Sequence, residues 1–243
     1  MPNAPHPQLD LAGTIRPGLD ILANEIVIAL KKRSRFPTNP SVYKPGLVST
    51  DTDMPLLHHV LGSIEHCHAE LGRYTFAAQE AFTTVADVAP VINRQPPDSP
   101  LHPMSSGVGE HIIEFYLGWI EQACNQGDDT DTFGETATSD VVALMAIMER
   151  VNLGKSVAEA KFLQQPKAYI DTNGDRDGLL ALLVKKDREA QVMQLAANLA
   201  DRYDLPAEHA ISVFSFMIDT TIDIEIDYLR MRISSTAESA QGK

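Results

Sequence analysis

One stretch, Asp140 to Phe162 (DVVALMAIMERVNLGKSVAEAKF), leaves this chain little choice of fold. Val141, Leu144, Met145, Met148 and Val151 recur at intervals of three and four residues, the period of an α-helix with one apolar face. Asp140 or Thr138 suits the start as a cap. Ala146, Val157, Ala158, Ala160 and Phe162 crowd the other sides, and a helix apolar on nearly all sides belongs inside a protein. Yet this one carries Arg150 and Lys161. At ~100° per residue, their separation returns the second cation to within about 20° of the first, roughly 16 Å along the axis. Two readings fit: solvated cations on an outer face, or two long side chains converging on one anion. The small and apolar neighbours favour the second, because a buried cation needs a partner.

The rest of the chain repeats the helical period. Leu19, Leu22, Ile26 and Leu30 predict a helix from Arg16 to about Arg35, with Pro17 in its first turn. A Pro-punctuated loop follows, then helices over 53–82, 110–126, 179–203 and 207–232. Residues 89–109, dense in Pro and Ser, read as a long surface connection. The expectation is an all-α, multi-helix bundle forming a single domain over 1–243, with loose tails at 1–10 and 234–243. A net charge of −13 argues against nucleic acid and anionic membrane as partners. It also means that any anion site must be built locally. Cys67 and Cys124 make no disulfide framework, and reduced thiols in the cytoplasm are the simpler reading. The start, MPNAPHPQLDLAG, lacks the pattern of a secretory signal, and no apolar run reaches the ~20 residues of a membrane span.

Three apparent motifs fail on inspection. DTNGDRDG offers oxygen donors, but counting from Asn173 puts Val184 where a calcium loop needs a bidentate Glu. Among His58, His59, His66, Cys67 and His68 only His59 and His66 share a helical face, so no metal site is expected. Gly107 and Gly109 do not complete a dinucleotide fingerprint, and no Ser or Cys sits in a nucleophile elbow.

NLGKSVAEAKF, preceded by Glu149-Arg150 and by FGETATSD upstream, resembles the signature segment of the fungal and plant type of chorismate mutase. IRPGLDILANEIVIALKKRSRFPTNPSVY resembles that family's first helix and loop. HAELGRYT, GDRDGLLALL with Glu189, and TTIDIEIDYLRMR resemble later segments in the same order. The resemblance covers most of residues 10 to 232 and is poor over 85–110. It implies an all-helical homodimer that rearranges chorismate to prephenate without a cofactor. Catalysis then rests on holding the reactive conformer and on complementarity to the charge of the transition state. Carried over residue by residue, Arg16 and Arg150 match the arginines that bind the carboxylates of a small dianionic substrate. Lys161 matches the donor to the ether oxygen. Glu225 matches a glutamate that must be protonated to act as second donor. Glu189 matches the acceptor for the ring hydroxyl, and Thr221 a substrate-site threonine. The residues agree for the last helix: Glu225 stands among Ile222, Ile224 and Ile226, an odd place for an acid unless it is used or paired.

The chain departs from the family at four places. Lys185 replaces a substrate-site asparagine and, four residues before Glu189, is placed to pair with it. Pro17 is expected to push Arg16 away from helical angles. Gly72-Arg73 leaves one arginine of the effector site's pair, and Glu135 replaces its serine, which implies weak control by tyrosine and tryptophan. Lys185 keeps two alternatives open: the same site acting on a modified chorismate-like substrate, or a non-catalytic relative that binds a metabolite or partner.

Overall fold

The computed structural model describes residues 9–93 and 99–241, with side chains to residue 236. Eight helices and no strand occur among the described residues: α1 (Arg16–Arg33), α2 (Leu56–Glu70), α3 (Gly109–Ala123), α4 (Phe133–Gln164), α5 (Pro166–Ile170), α6 (Arg176–Leu183), α7 (Lys186–Arg202) and α8 (Ala207–Gln241). The all-α expectation holds. The helix α4 spans 32 residues, about 48 Å at 1.5 Å per residue. It packs most extensively on α8 and α1, and α7 closes against α8 and α1. One large core joins α1, α2, α3, α4, α7 and the first part of α8. A smaller one gathers the end of α4 with α5, α6 and the later part of α8, around Phe162, Tyr169, Leu183 and Leu229.

Several boundaries differ from the sequence expectation. α4 begins at Phe133, so neither Asp140 nor Thr138 is its cap. Asp140 is fully buried mid-helix, where it accepts from Arg33 Nε at 2.6 Å, Tyr43 OH at 2.8 Å and Tyr116 OH at 3.0 Å. α2 stops at Glu70 rather than near 82, because Gly72 (φ +80°) and Tyr74 (φ +65°) take left-handed angles that a helix cannot contain. The chain then folds back, and buried Glu65 accepts from the backbone N–H groups of Phe82 and Thr83 at 2.7 and 2.8 Å. Further along, fully buried Lys155 pairs with Glu80 and donates to the Met104 carbonyl at 2.8 Å. Glu80 in turn accepts from the N–H and hydroxyl of Ser106. Parts of the expected surface connection are therefore pinned to α4. Residues 94–98 within it, and 1–8 of the expected N-terminal tail, lie outside the described residues. At the other end α8 continues to Gln241, past the tail expected from 234.

Two differences shape the site. The helix expected over 179–203 is broken at Val184 and Lys185, both extended, into α6 and α7. Before α1 lies a π-helical turn, Leu11–Ile15, capped by the Asp10 carboxylate through the N–H groups of Ala12 and Gly13. A Cβ on Gly13 would stand 2.5 Å from the Asp10 carboxylate, so a larger residue there would displace the capping group. Arg16 keeps helical angles (φ −63°, ψ −46°) despite the following proline. Its N–H, the group that a proline ring crowds, reaches back five residues to the Leu11 carbonyl in the wider turn.

Candidate functional site

α4, α8, the start of α1 and the α6–α7 junction enclose a cavity of about 180 Å³. Arg16, Arg150, Lys161, Lys185, Glu189, Thr221 and Glu225, the seven residues singled out from the sequence, all line it. Helical spacing explains the convergence. Arg150, Gly154, Val157 and Lys161 form one face of α4, and Ile218, Thr221, Ile222 and Glu225 form one face of α8. The two faces meet closely at Gly154, where a Cβ would lie 2.9 Å from Thr221 Cγ2 and 3.3 Å from the Thr221 carbonyl oxygen. The π turn and α1 add Leu11, Ile15, Arg16 and Leu19. The break before α7 turns the first turns of that helix toward the cavity, adding Lys185, Arg188, Glu189 and Val192.

The groups differ sharply in how well they are satisfied. Arg150 is 6% exposed and has no hydrogen-bond or ion-pair partner among the described residues; its guanidinium lies over the Phe214 ring at 5.5 Å. Burial lowers its pKa to about 10, against an opposing pull from Asp20, so it remains a cation at neutral pH. An isolated buried cation of this kind calls for an anion. Eleven residues on, Lys161 donates to Glu225 at 2.8 Å and to the Leu183 carbonyl at 3.4 Å. Glu225 is buried, and burial pushes its carboxyl up; Lys161 pulls it down without cancelling that effect. Thr221 donates its hydroxyl to the Met217 carbonyl at 2.6 Å, leaving its oxygen free to accept. Arg16 is exposed at the cavity mouth, and Glu189 is half-buried with no side-chain partner among the described residues.

One expected contact is absent. Lys185 does not pair with Glu189: it sits outside α7 with φ −129° and ψ 90°, so the spacing of neighbours on a helix does not apply to it. Its carbonyl instead accepts the Glu189 N–H at 3.1 Å. Glu189 is thus left open to a ligand hydroxyl. Sequence reasoning also missed Arg188. Its position immediately before Glu189 could have flagged a basic group near the site only if the start of α7 had been placed correctly. The DTNGDRDG turn has a structural role, since Asp175 caps α6 by accepting the Gly178 N–H at 2.8 Å.

Comparison with known proteins agrees with this fold. The family model for chorismate mutase type II matches residues 134–226, from the start of α4 to the middle of α8. Chorismate mutase of Schizosaccharomyces pombe is 28% identical over 239 residues, covering 90% of this chain and 95% of the relative. Chorismate mutase 2 of Petunia hybrida is 30% identical over 195 residues, covering 76% and 73%. The crystal structure of the Candida albicans chorismate mutase in complex with L-Trp superposes with a TM-score of 0.85 at 27% identity, covering 93% of each chain. With its helices, their order and these relatives in agreement, the chain belongs to the chorismate mutase family, in the all-helical type of fungi and plants.

Proposed function

We propose that the protein is an isomerase that converts chorismate to prephenate in the cavity between α4 and α8. The reaction breaks one ether C–O bond and forms one C–C bond within a single molecule, so no group leaves and no cofactor is required. Arg150 and Arg16 grip the two carboxylates, for which guanidinium groups supply paired, directed donors. Lys161 donates to the ether oxygen as negative charge develops there, and a protonated Glu225 gives that oxygen a second donor. Glu189 accepts the ring hydroxyl, and Thr221 offers an oxygen beside it. Lys185 adds positive charge at the rim.

The observation that carries this reading is Arg150: a buried guanidinium without a partner, in the same cavity as the Lys161–Glu225 pair. A fold built for stability alone would pair it, because an unmatched buried charge is costly. Support for a homodimer comes from the family resemblance. No helix among the described residues is long and apolar enough to cross a membrane; support for a cytoplasmic protein comes from relatives such as the cytosolic chorismate mutase 2 of Zea mays. The purified protein with chorismate should yield prephenate, and Lys161→Ala should lower turnover by about a thousandfold, the scale of losing one aimed donor. Full turnover in that variant would refute the role given to Lys161.

A further inference from the structure

The cavity holds a cation that the reading above leaves unused. Arg188, in the first turn of α7, lines it, and its side chain is 38% exposed. Arg188 is held by Asp20 of α1 at 3.5 Å and by Gln191 at 3.2 Å. Asp20 lies one helical turn beyond Arg16 and outside the ring of lining residues. Its carboxylate also acts on Arg150, and Arg188 opposes it there. One acid thus serves two guanidinium groups of the same cavity.

We propose that Asp20 is a built-in placeholder for a substrate carboxylate, and that Arg188 is a substrate-binding residue which exchanges Asp20 for that carboxylate when the dianion enters. The inference rests on the chorismate reading of the cavity. Three observations support it. The pair is loose and half-exposed, so breaking it is cheap. Arg188 is long and sits at the start of the helix that also presents Glu189 inward. Arg150 lacks any direct partner, so a carboxylate reaching it would come within the field of Arg188. The exchange gives the free enzyme a way to lower repulsion among its cations without closing the cavity with a permanent ion pair.

A purely structural tie between α7 and α1 makes a different prediction, since removing either end of it would then do the same harm. The test is steady-state kinetics on chorismate, with calorimetric titration of prephenate, for the unmodified protein, Arg188→Gln, Asp20→Asn and the double variant. Arg188→Gln should raise KM about tenfold with kcat changed less than about twofold, because a carboxylate is gripped equally in ground and transition states. Asp20→Asn should lower KM about threefold, the scale of a released exposed ion pair. In the Arg188→Gln background the Asp20 change should have a smaller effect on KM and on prephenate affinity than it has alone. Equal rises of KM in both single variants, or an unchanged KM in Arg188→Gln, would overturn the exchange while leaving chorismate turnover intact. Absence of turnover in the unmodified protein would overturn the chorismate reading and the exchange together.

Discussion

Two points along α4, at Asp140 and at Arg150, treat buried charge in opposite ways. At the first, Asp140 meets Arg33, and every nitrogen of that guanidinium has an acceptor: Asp140 on Nε, the carbonyls of Phe36 and Pro37 on Nη1, Thr38 and Tyr43 on Nη2. At the second, Arg150 is almost as buried and has no such partner. The first cluster locks α1, α3, α4 and the loop after α1 together. The second leaves a charge waiting. A helix cannot gain stability from an unmatched cation, so the contrast separates scaffold from site without reference to any relative.

The comparison is sharpened most by Glu225. Glu225→Ala should lower turnover by about a thousandfold, with little loss of stability. Burial raises the Glu225 carboxyl above its ordinary value. Its contribution to folding is therefore full at low pH and is lost as pH rises through the raised value. Turnover should fall over the same rise, since only the protonated acid donates. Glu225→Gln keeps a donor at every pH and should flatten that fall; a pH–rate profile that keeps its slope in this variant would assign the titration elsewhere.

Next in size is Asp140→Asn, which leaves Arg33 without its counter-charge and should cost about 3 kcal/mol in denaturant unfolding. The folded fraction should keep the KM of the unmodified protein. A change in KM as large as the loss of stability would erase the division between the Asp140 and Arg150 sites. Smaller again is Gly154→Ala. The added methyl meets Thr221 at 2.9 Å, and forcing α4 and α8 apart should cost about 1–2 kcal/mol and raise KM. The smallest effect concerns regulation. Arg73 is engaged by Glu149 at 3.3 Å, and the family resemblance puts Glu135 at the position of an effector-site serine. Tyrosine or tryptophan should change KM by less than the roughly fivefold that 1 kcal/mol of coupling brings.

Periodicity made the helices legible, and the spacing of Arg150 and Lys161 pointed to a shared anion before any fold was known. Local sequence could not show long-range pairing. Asp140 reads as a cap because its partner Arg33 lies 107 residues away. Arg188 carries no local signal because its partner Asp20 is 168 residues away. Where a helix stops was equally hidden. Phe82 keeps the helical period past Glu70, and nothing nearby shows that Glu65 will bond its backbone instead. Lys185 was given a helical neighbour that an extended residue does not have. The site residues were recognisable through the family resemblance; their state of pairing became visible only in three dimensions.

Arg150→Met tests the central contrast most directly, with unfolding temperature and kcat/KM measured on the same sample. Removing an unpartnered buried cation should leave the unfolding temperature unchanged or higher, while kcat/KM for chorismate falls by about a thousandfold or more. A lowered unfolding temperature with turnover retained would mean that Arg150 supports the fold rather than the substrate, and would contradict the account.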